Sequence, residues 1–139
     1  MDNKQKLIYN ELISKFNFDD DQKREIKLGL EEDLDISHYA KLEFNDLQMG
    51  QIRLGLENNI DVSIYAKPEY NWAQMEQIRD GLKHNIDVSA YSYSVFDWVQ
   101  MFQIRLGLEK GLDVTPYLNP GIDSLEMERI RLELESNNE

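Results

Sequence analysis

The chain has no cysteine, only two histidines and three prolines among its 139 residues. Without cysteine there is no disulfide and no thiolate nucleophile or metal ligand, and nothing points to an oxidising compartment. Basic residues are also short. Fifteen lysines and arginines face 27 acidic residues, a formal net charge of −12. Such a chain repels phosphate backbones and anionic lipid, which disfavours direct nucleic-acid or membrane-surface binding. No apolar run approaches the roughly 18 residues that span a bilayer. Met1-Asp2-Asn3-Lys4-Gln5-Lys6 leads into an amphipathic stretch instead of a signal-peptide core. The expectation is a soluble cytoplasmic protein whose partner is another protein, a basic one by charge.

What is present is a repeat of 26 residues with no insertion or deletion. Ile26, Ile52, Ile78, Ile104 and Ile130 step by 26, as do Leu30, Leu56, Leu82, Leu108 and Leu134, and Tyr39, Tyr65, Tyr91 and Tyr117. A fixed period of this size signals stacked supersecondary units, each unable to bury its apolar face alone. The predicted fold is all-α: a helical-repeat solenoid of about four and a half units in a single domain. Repeats cover 19–44, 45–70, 71–96 and 97–122, a partial repeat covers 123–139, and residues 1–17 form an N-terminal capping helix on the stripe Leu7, Ile8, Leu12, Ile13 and Phe16.

Each unit carries its own start and stop signals. Asp19, Asn45, Asn71, Asp97 and Asp123 are N-cap residues, and Gln22, Gln48, Gln74, Gln100 and Glu126 follow three positions later, a capping box in every copy. Phe18, Phe44, Tyr70, Phe96 and Ile122 precede the caps, and Met49, Met75, Met101 and Met127 stand at staple spacing; the first copy has Lys23 there. The helix core is the stripe Met49, Ile52 and Leu56. Asp33, Asn59, Asn85 and Gly111 then suit a left-handed C′ residue, with apolar Leu34, Ile60, Ile86 and Leu112 next, a Schellman ending. Ser37, Ser63, Ser89 and Thr115 are expected to cap a short helical turn holding the tyrosine, with Pro116 at its first position and Pro68 and Pro120 just beyond. Residues from Ser136 to Glu139 are expected to fray.

Two columns need further explanation. Gly29, Gly55, Gly81 and Gly107 lie inside the helices, where glycine costs up to about 1 kcal/mol relative to alanine. Either a tyrosine ring or neighbouring helix approaches the bare backbone, or a ligand does; Glu133 in the last copy favours packing. Lys27, Arg53, Arg79, Arg105 and Arg131 place a cation at one point of each helix. Glu31, Glu57, Glu109 and Glu135 lie four residues on, and Asp35, Asp61, Asp87 and Asp113 offer partners across the turn. The column reads either as an ion-pair ladder or as a row of arginines, Arg53, Arg79 and Arg105 among them, gripping a partner's carboxylates.

Catalytic chemistry finds little footing. His38 and His84 occupy different columns, and neither Asp33-Leu34-Asp35 nor Asp19-Asp20-Asp21 has the spacing of a calcium loop or a zinc site. No phosphate loop is present. The chain is expected to be non-enzymatic, with no cofactor and no metal.

Recognition in repeat proteins usually falls on the columns that vary. The first helical position reads Asp20, Asp46, Trp72, Trp98 and Ser124, and the position one turn later reads Arg24, Gly50, Glu76, Phe102 and Glu128. Trp98 and Phe102 share a face away from the Met-Ile-Leu stripe, Trp72 is expected one unit over, and Tyr93 and Val95 add apolar area in the intervening loop. These aromatics are either an interaction hot spot or packing against a neighbouring unit's short turn. Residues 19–44 carry a net −5 and residues 123–139 a net −4, against −4 for the 78 residues between. Acidity is concentrated at the ends; Asp20, Asp46, Glu76 and Asp80 are the candidates for a decoy of nucleic-acid charge.

The string Gln48–Glu57 with Asp61–Ala66, Gln-Met-x-Gln-Ile-Arg-x-Gly-Leu-Glu and then Asp-Val-Ser-x-Tyr-Ala, resembles short helical repeats of bacterial, phage and mobile-element proteins. Residues 18–135 are covered, with departures at Lys23, Asp80, Lys83 and Glu133. The resemblance, with the chain's size and acidity, implies an inhibitor of a nucleic-acid-handling defence enzyme, of the anti-CRISPR or anti-restriction kind. A structural or adaptor module that forms a homodimer through the aromatic patch is the alternative.

Overall fold

The computed structural model describes residues 1–138. They form α1 (Asn3–Lys15), α2 (Asp20–Glu31), α3 (Asp46–Glu57), α4 (Trp72–Lys83), α5 (Trp98–Glu109) and α6 (Ser124–Asn137). Short 3₁₀ turns at Ile36–His38, Val62–Ile64, Val88–Ala90 and Thr115–Tyr117 follow α2 to α5 in order. No strand occurs among the described residues, and the fold is an all-α helical-repeat array. Two compact units divide it, Met1–Met75 and Glu76–Glu139, with the division inside α4.

The helix starts follow from the capping residues. Asp19 and Gln22, Asn45 and Gln48, and Asp97 and Gln100 each exchange both bonds of a capping box, and Asn71 and Gln74 do the same. The last copy differs from expectation. Asp123 accepts from the Glu126 amide, but the Glu126 carboxylate is turned to Arg129, 2.6 Å from Nη2, because a guanidinium is the stronger partner for a carboxylate than a backbone amide. An unanticipated box starts α1, where Asp2 and Gln5 exchange the same two bonds.

The helix ends obey the Schellman pattern. Asp33, Asn59 and Asn85 adopt φ of 56°, 56° and 58°, and Gly111 a φ of 73°. The next residue's amide returns to the helical glycine: Leu34 to the Gly29 carbonyl at 2.9 Å, Ile60 to Gly55, Ile86 to Gly81 and Leu112 to Gly107. This 6→1 bond satisfies a carbonyl the helix leaves open. The turn that follows is capped differently from expectation. Asp35, Asp61 and Asp87, not the serines, are its N-cap residues, each accepting from the serine amide two positions on and from its hydroxyl. Asp113 holds Thr115 in the same way. The hydroxyl is the donor and the carboxylate the cap, an Asx turn.

The tyrosine of each turn closes the unit. Tyr39, Tyr65, Tyr91 and Tyr117 are fully buried, and their hydroxyls donate to the carbonyls of Glu25, Gln51, Gln77 and Gln103, fourteen residues earlier. Each of these carbonyls is four residues before the helical glycine, so it also closes that glycine's own helical bond. The glycines are what admit the hydroxyl. A Cβ at Gly55 would overlap the Tyr65 hydroxyl oxygen and lie 2.7 Å from Val62 Cγ1, and the equivalent clash occurs at Gly29, Gly81 and Gly107. Of the two sequence readings of this column, tyrosine packing is the one the structure adopts. Burial pushes the Tyr117 phenol up to about 12 and shifts those of Tyr39 and Tyr91 upward too.

Consecutive repeats are joined by the second hand of the capping glutamine. In the first unit, Gln22 Nε2 donates to the Phe44 carbonyl at 2.7 Å and Gln48 Nε2 to that of Tyr70 at 2.6 Å. In the second unit, Gln100 Nε2 reaches the Ile122 carbonyl at 2.8 Å. Each bond ties the start of one helix to the start of the next, 22 residues on, so α2 lies beside α3 and α5 beside α6 with their N-termini together. Helix α1 packs on α2 the other way round: Gln5 Nε2 donates to the Leu30 carbonyl at the far end of α2. Met49, Ile52, Met75, Ile78, Met101 and Ile104 are fully buried, while Leu56, expected in the same stripe, is half-buried. Helix α6 continues through Ser136 and Asn137, beyond where fraying was expected; Glu139 lies outside the described residues.

Gly81→Ala improves helix propensity by up to about 1 kcal/mol, yet the clash with Tyr91 and Val88 should make it a net loss of about 1–3 kcal/mol. Tyr91→Phe alone should lose about 1 kcal/mol through its buried hydrogen bond. In a chemical-denaturation double-mutant cycle, Gly81→Ala with Tyr91→Phe should lose less than the sum, because removing the hydroxyl relieves the tighter of the two clashes and leaves only that with Val88. Additive losses would show that glycine and hydroxyl are not in contact.

Candidate protein-binding surface

The arginine column is engaged within the chain. In the first unit, Arg53 Nε meets Glu25 Oε2 at 2.6 Å, and its Nη1 meets Glu57 at 2.5 Å and Glu32 at 3.3 Å. In the second unit, Arg105 Nε donates to Gln77 Oε1 at 3.0 Å and Nη1 to Glu109. Arg131 repeats the arrangement with Gln103 at 2.9 Å and Glu135. Each of these three arginines takes one partner on its own helix, four residues on, and one on the preceding helix, 28 residues back. The planar fork suits this two-sided grip, and one nitrogen is left to pair with neither. Arg79 lies 3.7 Å from Asp80 and has further partners. Lys27, the first member of the column, sits over the Tyr9 ring at 5.3 Å. The ladder expected between units is therefore ionic only at Arg53; at Arg105 and Arg131 the bond to the preceding helix goes to a neutral glutamine, and the ion pair stays on the arginine's own helix. Asp35, Asp61, Asp87 and Asp113, considered as cross-turn partners, are instead taken by the Asx turns, because a short carboxylate two residues from a hydroxyl is satisfied locally. Their hydroxyl and amide donors hold these carboxyls below the usual carboxylate range.

One rung is unbalanced. Three carboxylates, Glu25, Glu32 and Glu57, surround the single Arg53 guanidinium. The hydrogen bond between Glu32 and Glu57 requires a shared proton and raises the Glu32 pKa above its ordinary 4.5, with some desolvation and the Glu57 charge adding to the effect and Arg53 opposing it. The rungs of the second unit place His84 and Lys110 where Glu32 stands; His84 lies 3.8 Å from Glu109 and Lys110 3.2 Å from Glu135.

The aromatic candidates reach solvent. Trp72 is 42% exposed in the first unit; in the second, Tyr93 is 56%, Val95 63% and Trp98 46% exposed. The hydroxyl-bearing tyrosines of the turns, by contrast, show no exposure at all. Phe102 is half-buried, one turn from Trp98 on α5, with the Arg105 guanidinium 5.4 Å from its ring centre. The acidic candidates separate. Asp20 is exposed, at the start of α2; Asp46, Glu76 and Asp80 are half-buried. His38 lies 3.7 Å from Asp35. No group of three or more His, Asp or Glu side chains among the described residues is arranged to hold a metal ion, and no described helix is long and apolar enough to cross a membrane.

Exposed apolar residues absent from the sequence reading are Leu42, Leu47, Leu125 and Leu132. So is an apolar groove of about 570 Å³ in the first unit, between α1 and the first short turn, lined by Ile8, Leu12, Phe16, Leu30, Leu34 and Ile36 among others. Comparison of columns flags Leu47 and Leu125 against Asp21 and Leu132 against Asp80; the groove depends on how α1 turns back and has no sequence signal.

No family model matches the chain, and no curated protein or solved structure is significantly similar to it.

The Glu32 carboxyl contributes stability below pH 4.5, its ordinary value, and loses it as pH rises through the elevated folded value. At neutral pH it is a source of repulsion. Glu32→Gln should therefore stabilise the protein at pH 7 by a few tenths of a kcal/mol, the scale of a largely solvated pair, and should have less effect at pH 4. Thermal melts of both proteins across that range check this; an equal shift at every pH would contradict it.

Proposed function

We propose that the chain is a non-catalytic protein-binding module and that Trp98, Tyr93 and Val95 anchor its partner. The observation that carries this is the exposure of these residues in columns where other repeats, Trp72 in the column of Trp98 excepted, do without apolar side chains. Lys41, Lys67 and Asn119 stand in the column of Tyr93, Glu43, Glu69 and Gly121 in that of Val95, and Asp20, Asp46 and Ser124 in that of Trp98. The repeat folds with charged or small polar residues or glycine there, so packing does not call for aromatics. Solvent-accessible tryptophan and tyrosine are the side chains that dominate binding hot spots. Trp72 offers a further anchor in the first unit.

The partner's chemistry follows from charge. A surface of net −12 attracts a basic protein and repels nucleic acid. The finer reading is a phage- or mobile-element-borne inhibitor that occupies the basic groove of a nucleic-acid-handling defence enzyme, with exposed acids such as Asp20 standing where phosphates would. What supports it is the combination of acidity, small size and the resemblance of the repeat string.

Trp98→Ala and Tyr93→Ala should each change folding stability by less than about 0.5 kcal/mol, as exposed positions do. They should weaken partner binding by about 2 kcal/mol or more, near thirtyfold. Calorimetric melts and binding isotherms against a captured partner measure the two effects. A large stability loss would place these residues in the core. Competition with DNA for a candidate nuclease should weaken as salt rises; inhibition that ignores salt would remove the decoy role.

A further inference from the structure

We propose that the partner meets this chain through a basic amphipathic helix laid along the outer face of α5. The inference rests on the protein-binding reading above and adds the shape and charge of what is bound. It uses the second unit alone. There, α5 turns one side to each neighbour: Arg105 reaches back to Gln77 on α4, and Gln103 accepts from Arg131 on α6. Met101, Ile104 and Gly107 are buried beneath. At about 100° per residue, Trp98, Phe102 and Leu106 fall within about 80° of arc, opposite Ile104 and Gly107. They form a ridge about 12 Å long at 1.5 Å per residue. Trp98 is exposed, Phe102 and Leu106 are half-buried, and exposed Tyr93 and Val95 precede the helix. No other repeat is apolar at all three positions.

Carboxylates flank this ridge on both sides. Glu76 on α4 and Glu128 on α6 hold the column of Phe102, and the two arginine bonds keep the three helices in register. At the usual spacing of about 8–10 Å between packed helices, each carboxylate lies about one helix away from the ridge. Both glutamates are half-buried, and neither side chain has an ion pair or hydrogen bond among the described residues. The arginines beside them are engaged: Arg79 with Asp80, Arg105 with Glu109 and Arg131 with Glu135. Lys83, which has no carboxylate partner among the described residues, stands in the column of Glu109, about one turn past Leu106. The free charge beside the ridge is therefore negative on either hand.

That pattern selects the occupant. A helix with its side chains is about 10–12 Å across, so one lying on the ridge carries lysines or arginines from both flanks to Glu76 and Glu128. Its apolar face covers Trp98 and Phe102 as one helix packs on another. An extended peptide finds no strand edge among the described residues to join. A second copy of this chain, with its own net −12, is repelled.

The probe is a synthetic peptide of about 18 residues, above the length at which isolated helices become stable, with leucines along one face and lysines on both flanks. Titration calorimetry against the full chain should show binding, weakened about thirtyfold by Trp98→Ala. Glu76→Gln with Glu128→Gln should weaken it about tenfold at low salt and little at high salt, with helical circular dichroism intact. Three control peptides should bind about tenfold less or worse: one with the same residues but scattered leucines, one with glutamate for every lysine, and one with a helix-breaking central proline. Equal binding by the scattered peptide would reduce the contact to bulk charge, and equal binding by the proline peptide would make the occupant extended. Either result overturns the proposal. So does unchanged affinity after the two glutamate substitutions, or self-association in light scattering that Trp98→Ala abolishes. If Trp98→Ala releases a captured partner while the basic peptide does not bind, the wider protein-binding reading stands and this inference falls.

Discussion

A tyrosine hydroxyl set against a bare glycine is the contact on which each repeat depends. It holds the short turn on the long helix, accounts for the largest fully buried side chain of the unit, and directs the hydroxyl to a carbonyl already engaged in the helix. The arrangement accepts the helical cost of glycine in exchange for a buried, fully hydrogen-bonded ring. The same glycine's carbonyl receives the Schellman amide, so one residue serves both the packing and the ending of its helix. In α6, the column carries Glu133, which pairs with Arg129.

The bonds between repeats are polar as well as apolar. Buried glutamines at the helix starts and arginines at the helix middles bridge neighbouring repeats, and no buried side-chain nitrogen or oxygen among the described residues lacks a partner. Such bonds fix register: sliding one helix along the next would strand a buried amide or guanidinium. With register and core assigned to these columns, the remaining columns are released from structural duty. Trp98, Tyr93 and Val95 occupy released columns and are exposed.

Much of the fold was legible because it is written in local spacing. Capping boxes, the left-handed residue and the tyrosine-glycine pairing all depend on residues within one period, and repetition of the period separates signal from accident. What was missed is non-local or ambiguous in spacing. The second bond of the capping glutamine goes to an acceptor 22 residues away, and the arginine's inter-repeat partner lies 28 residues back; a column of Glu25, Gln51, Gln77 and Gln103 looks like surface polarity until the neighbouring helix is in place. The aspartates before the turn offer two chemically equal uses, and proximity to the serine decides between them. The antiparallel seat of α1 follows from Gln5 reaching Leu30, which no period predicts. For the proposed binding surface, the column comparison picked out Trp72, Tyr93, Val95 and Trp98 as variable positions, while their exposure needed coordinates.

The most direct test of this account is the nuclear Overhauser spectrum of the tyrosine hydroxyl protons. Buried and donating to helix carbonyls, the hydroxyl protons of Tyr39, Tyr65, Tyr91 and Tyr117 should exchange slowly enough to be seen, each with a cross-peak to the Hα protons of Gly29, Gly55, Gly81 and Gly107 respectively. Hydroxyls that exchange with bulk water, or rings without contact to those glycines, would contradict it.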